Sequence, residues 1–237
     1  MTQRKTGIIG AMAQEIRLLR ECIENKTVTS VAGMDFCEGT IHGIQVVLVQ
    51  SGIGKVNAAI CTQILIDRFA VTHIINTGIA GSLDERIDIG DVVLSTDAVY
   101  HDMDATFFGY QPGQVPLMKT YAFPADEAFR SELEAAVKRA AGDIHVYFGR
   151  VVSGDCFVME QAKKDAIKNT FDGLCVEMEG TAIAHTAWVN QIPFVIVRFI
   201  SDKANEESSK TYEQIEDEAA NHSASIIKDA LMHLAQK

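Results

Sequence analysis

The sequence predicts an α/β fold in three layers, α/β/α, around a central mixed and largely parallel sheet. Three observations predict it. Short Val- and Ile-rich runs alternate with longer stretches of helical periodicity. The short runs are apolar throughout rather than at every second residue, which suits strands buried on both faces. No Pro- or Gly-rich linker and no internal repeat divides the 237 residues, so one domain over 1–237 is expected.

The elements follow in order. TGIIGAM (6–12) reads as a strand and 13–24 as a helix. QVVLVQSG (45–52) is a second strand, with helical periodicity over 55–69. THIINTGIAG (72–81) and DVVLSTDAVY (91–100) are two more. The segment 101–124 holds aromatics and three of the four prolines, and reads as a long binding or contact loop. A helix over 126–141 leads to the strand HVYFGRVVSG (145–154). Helices near 160–169, 180–190 and 212–235 alternate with the strands LCVEME (174–179) and PFVIVRFIS (193–201).

Composition bounds the function. Apolar residues make up 47% and charged ones 22%, an ordinary globular balance. The net charge is -11, which works against a nucleic-acid face. No run approaches eighteen apolar residues, so no membrane span is expected. The N-terminus lacks the apolar core of a signal peptide. Cys22, Cys37, Cys61, Cys156 and Cys175 form no CxxC pair and read as reduced thiols of a cytoplasmic protein.

Motifs for cofactors fail. SGIGKVNA (51–58) lacks a third glycine at Asn57 for a dinucleotide fingerprint. It lacks Ser or Thr at Val56 for a phosphate loop, so it reads as a tight strand-to-helix turn. HDMD (101–104) has no companion at metal-ligand spacing and reads as the start of a polar loop. No metal and no cofactor is expected.

The acids are more informative. Arg198 interrupts a β-branched run, where burial beside an anionic or polar partner is expected. Ser201 and Asp202 fall at the end of that strand, the edge where open α/β sheets bind ligands. An Asp there also reads as a helix cap. Glu15 falls in the first turn of a helix, where a surface Glu favoured by the dipole is the commoner case. Phe157 and Met159, on their own, read as core. CVEMEG (175–180) sets two carboxylates in an apolar run. Glu179 falls at a strand end near a helix start. Glu177 reads as a structural carboxylate held by backbone amides or a basic side chain. Glu15, Glu179 and Asp202 at one sheet edge, with no cofactor motif, fit an acid/base enzyme acting on a small molecule.

IIGAMAQE, SGIGKVNAA, INTGIAGS, GDVVLS, YHDMDAT, VVSGDCF, VEMEGTA and VRFISDKA occur in the order seen in bacterial 5′-methylthioadenosine/S-adenosylhomocysteine nucleosidases. The chain resembles that family over residues 7 to 235. The resemblance implies a purine nucleoside phosphorylase-like fold and a homodimer. It also implies hydrolysis of the N-glycosidic bond of methylthioadenosine, S-adenosylhomocysteine and 5′-deoxyadenosine, within methionine salvage and methyl-cycle recycling. Cleavage needs an acid on the departing purine and a base on the attacking water, the paired-carboxyl logic of an inverting displacement.

Carried over by the resemblance, Asp202 is the acid that protonates adenine N7, and a site that raises its pKa is expected. Ser201 bears on Asp202 or the base. Glu15 is the base for the water, and Arg198 helps position that water. Glu179 grips the ribose hydroxyls, with Met178 against the sugar. Phe157 stacks on adenine, and the backbone of Val158 reads its edge. Met12, Ile53, Phe108, Pro116 and Tyr212 surround the 5′-thio group, Phe108 and Pro116 coming from a partner subunit. Ile79 stands where the family usually has serine. The polar network near the water must then be closed by Arg198, a water or the backbone of Ala80 and Gly81.

Related readings differ in chemistry. A phosphorylase needs cations for its dianion, and the corresponding places here carry AMAQE and Asn76. Futalosine- and adenosine-type nucleosidases share the acids and differ in the 5′ pocket. A non-catalytic purine-binding module would be expected to lose the acid or the base.

Overall fold

The computed structural model describes residues 4–142, 144–202 and 212–235, the side chains of 141, 212–216 and 219 excepted. Each predicted apolar run forms a strand: β1 (Lys5–Gly10), β4 (Ile44–Gln50), β5 (His73–Ser82), β6 (Val92–Tyr100), β8 (Val146–Ser153), β9 (Gly173–Glu177) and β10 (Phe194–Asp202). The helices α1 (Ala13–Glu21), α2 (Lys55–Phe69), α3 (Glu127–Ala141), α4 (Gln161–Phe171), α5 (Gly180–Val189) and α6 (Tyr212–Leu234) fall where the periodicity put them.

Two strands lie where the sequence showed no apolar run. β2 (Glu24–Val31) and β3 (Met34–Ile41) continue the sheet beyond β4 as an antiparallel meander. β2 is exposed at almost every residue, so it has no buried face to announce it. The turns were the available signal. Ala32–Gly33 and His42–Gly43 each place two successive residues at positive φ, the geometry that joins hairpin strands with a two-residue loop. The 101–124 segment also carries a 3-10 turn (Thr106–Phe108) and ends in a two-residue strand, β7 (Phe123–Pro124), paired with β6.

The sheet is mixed. β1 pairs in parallel with β4 and β5, and β5 with β10. β10 then pairs antiparallel with β6, and β9 antiparallel with β5. Since β8 joins β6 to β9, strands β5, β10, β6, β8 and β9 close a ring. One side of the sheet is covered by apolar side chains of α1, α3 and α6, such as Leu19, Leu133 and Ile227. The other is covered by α2 and α5, through residues such as Leu65 and Ile183. Two layers of helix on a buried sheet account for the apolar-throughout strands.

The ring positions the site through its register. β5 and β10 place Gly78 opposite Arg198 and Gly81 opposite Asp202. β8 and β9 place Ser153 opposite Glu177. No helix among the described residues is long and apolar enough to cross a membrane.

Candidate active site

β1 delivers its chain to the start of α1, and Glu15 sits in the first turn. Its side chain turns back on the helix that carries it. Oε2 accepts from the amides of Ala11 (2.6 Å) and Met12 (2.9 Å), while Oε1 accepts from the amide of Ile79 on β5 (3.1 Å). Glu15 is therefore a buried carboxylate rather than a surface one. Burial pushes its pKa up, while the Arg198 charge and the three amides pull against that shift. The Ile79 side chain cannot hydrogen-bond, and the residue reaches Glu15 through its backbone amide.

Arg198 is 1% exposed, and its partners are anionic and polar, as its apolar surroundings required. Nη2 donates to Asn76 Oδ1 (2.6 Å) and to Glu177 Oε2. Glu177 also accepts from Ser153 Oγ and from the amides of Glu179 (3.0 Å) and Gly180 (2.7 Å). Its carboxylate thus joins a basic side chain to the first turn of α5. That is the structural role its sequence position suggested. Arg198 Nε has no partner among the described residues. A Cβ at Gly78 would run into both Glu15 Oε1 and Arg198 Nη1, so glycine there lets the two side chains sit where they do.

Glu179 departs from Glu177 because β9 ends at Glu177 and α5 begins at Gly180. Its Oε1 accepts from the amide of Gly54 (2.8 Å), at the start of α2. The turn 51–54 therefore presents its amide to a carboxylate of the protein. The next amide, Lys55 N, likewise meets Asp155 Oδ1 (2.8 Å). Burial, and then the Glu177 anion, push the Glu179 pKa up to about 7.

Asp202 ends β10. Its Oδ1 receives the Ser201 hydroxyl at 3.3 Å, and its Oδ2 receives Lys164 Nζ at 2.6 Å. The ammonium is there because α4 turns Lys164 inward. Phe157 is 51% exposed and Met159 is also exposed, so neither belongs to the core. HDMD is a polar loop start, as read: Asp102 Oδ2 accepts from Lys55 Nζ (2.6 Å) and the amide of Asp155 (2.9 Å). No cluster suited to a metal ion exists among the described residues.

One cavity of about 130 Å³ joins these groups. Glu15 and Met12, then Glu179 with Met178, and Ser201 with Asp202 line it. Ile53, Ala80, Gly81, Phe157 and Val158 complete the predicted set, and Arg198 stands behind Glu177. Phe108 and Pro116 do not line this cavity, and Phe108 is exposed. Tyr212 opens α6, and its side chain lies outside the described residues. Lys164, Ser153 and Asn76 were not foreseen as polar partners. Nothing in the sequence separates Lys164 from its solvated neighbours. Ser153 and Asn76 could have been found only by register.

Residues 5–232 match the model of the phosphorylase superfamily. A 5′-methylthioadenosine/S-adenosylhomocysteine nucleosidase of Staphylococcus carnosus is 44% identical over 96% of this chain and 99% of its own. The one from Anoxybacillus flavithermus is 45% identical over 94% and 95%. Among solved structures, the nucleosidase of Colwellia psychrerythraea in complex with adenine superposes with a TM-score of 0.91 at 38% identity, covering 98% of this chain and 96% of that one. The Neisseria meningitidis enzyme in complex with methylthio-immucillin-A gives 0.91 at 39%, covering 97% and 99%.

Proposed function

This chain belongs to the phosphorylase superfamily and, within it, to the 5′-methylthioadenosine/S-adenosylhomocysteine nucleosidases, and on that premise we propose how its cavity works. The enzyme hydrolyses the N-glycosidic bond of methylthioadenosine and S-adenosylhomocysteine, releasing adenine and the 5-thioribose. Glu15 takes a proton from a water as it attacks C1′. Asp202 protonates N7 as the C1′–N9 bond breaks. Glu179 accepts the ribose hydroxyls, with Met178 against the sugar. Phe157 stacks on the purine, the backbone of Val158 reads its edge, and Ser201 orients Asp202 from Oδ1. Arg198 lends its charge to the water end.

The observation that carries hydrolysis over phosphorolysis is the charge at the nucleophile end. Glu15 stands there as a buried acid, and Arg198, the buried cation beside it, is already committed to Glu177 and Asn76. A phosphate dianion would meet repulsion from Glu15, whereas a neutral water finds a base. The test is methylthioadenosine turnover with and without phosphate. Adenine release at a rate independent of phosphate is expected, and formation of thioribose 1-phosphate would overturn the reading.

We further propose a homodimer. Phe107, Phe108 and Leu117 are strongly exposed apolar side chains on the 101–124 loop, which supports their being covered by a second copy. In that assembly, Phe108 and Pro116 reach the 5′ end of the neighbouring cavity, and Met12 and Ile53 complete it. Equilibrium sedimentation at twice the chain mass is the expected result.

A further inference from the structure

We propose that Lys164 is the proton reservoir behind Asp202, a positioning residue that supplies the proton Asp202 passes to the purine. The inference rests on the reading of Asp202 as the acid. It starts from three lysines on α4. Lys163 is exposed and reaches Cys156, and Lys168 reaches Asp84 (3.2 Å). Lys164 alone of the three is turned inward, with its side chain 4% exposed. Burying an ammonium is costly unless an anion receives it. The partner that receives it is Asp202 Oδ2, at 2.6 Å.

That geometry conflicts with a carboxyl that must arrive already protonated. An ammonium in contact stabilises the carboxylate, yet the reaction needs the acid. The two agree if the ammonium is the source. The hydrogen bond between the pair is then the path the proton takes. As the bond to the purine breaks, an Nζ–H bond breaks and a carboxyl O–H forms. That O–H breaks as N7–H forms, and the C1′–N9 electron pair stays with the base. Lys164 is left as an uncharged amine, the form that burial favours. Water re-protonates it once adenine has left, and the proton taken by Glu15 returns to solvent.

The test compares Lys164→Met, Lys164→Arg and Asp202→Asn on methylthioadenosine and on the 4-nitrophenyl 5-methylthioriboside, whose leaving group needs no proton. Lys164→Met should lower kcat on methylthioadenosine by about 10²-fold, the usual scale of general-acid assistance, with KM near that of the wild type. Lys164→Arg should not restore it, because a guanidinium keeps the charge but cannot surrender a proton. Both variants should turn over the nitrophenyl riboside at the wild-type rate. Rescue by arginine would mean that charge pairing alone matters, and would overturn the proposal. So would a Lys164→Met enzyme as fast as the wild type, or one that loses the nitrophenyl substrate too, since that marks support of the pocket. Asp202→Asn separates the layers. Its loss of methylthioadenosine turnover beside an unimpaired Lys164→Met enzyme sinks the reservoir only. A fully active Asp202→Asn enzyme sinks the acid assignment with it.

Discussion

At one end of the cavity Glu15 takes three backbone amides, and Glu177 gathers Arg198, a serine and two amides. At the other end Asp202 meets one ammonium and one hydroxyl at 3.3 Å, and Phe157 stands half in solvent. The end assigned to water and ribose is thus fixed before any ligand arrives, by elements that the ring of strands holds in register. The end assigned to the purine leaves more of its contacts to the ligand. Preorganised dipoles help most where charge develops and where reorganisation would be slow. On the proposed assignment that is the nucleophile end, where the ribosyl cation forms.

The sharpest way to break this comparison is at Glu15. Glu15→Gln should lower kcat on methylthioadenosine by about 10³-fold. Its thermal midpoint should also fall, because the amide NH2 must face at least one backbone N–H that the carboxylate accepts. A variant within tenfold of the wild type would remove the preorganised end from the chemistry. Next comes Glu177. Glu177→Gln leaves Arg198 buried without its anion, and should cost about 3–5 kcal/mol in a denaturant titration. Glu179→Gln alters a carboxylate that accepts the Gly54 amide, and should cost far less stability while raising KM. Equal stability losses would erase the distinction between the two acids. Phe157→Ala should leave stability almost unchanged, since the ring is half exposed. It should raise KM about tenfold, from a stacking contact of about 1–3 kcal/mol.

The smallest effect is in pH. Glu15 and Glu179 both have pKa values raised by burial, Glu179 to about 7. Both roles need the ionised form, so kcat/KM should fall on the acid side near neutrality, above the ordinary carboxylate range. The stability linkage has the opposite sense. A carboxyl whose folded pKa lies above its unfolded value favours the fold at low pH. That contribution drains as pH rises, from about 4.5 to about 7 for Glu179. Denaturation midpoints across that window, with Glu179→Gln as reference, measure it.

Much of the fold was legible because its strands are buried on both faces and its helices are amphipathic. Strand direction was not. β9 and β10 read alike as apolar runs, yet β9 lies antiparallel to β5 and β10 parallel to it. The β2–β3 meander escaped because β2 buries nothing, and only its turn residues betray it. In the site, Glu177 and Arg198 could be read from their apolar company, since a charge there demands a partner. That Glu177 and Arg198 partner each other, and that Lys164 meets Asp202, are facts of register and helix placement. A single chain does not display them.

The crowding of carboxylates has a further consequence. Glu15, Glu177 and Glu179 surround one guanidinium, and burial raises the pKa values of Glu15 and Glu179, so the cavity disfavours their charged forms more than water does. A ligand carrying positive charge where the ribose sits pulls those values back down. Its binding should expel protons into the buffer, tighten as pH rises through neutrality, and show a heat that varies with the buffer's ionisation enthalpy. In that sense the cavity is a proton-for-cation exchanger, and the ribosyl cation of the reaction is one of the ions it is built to accept.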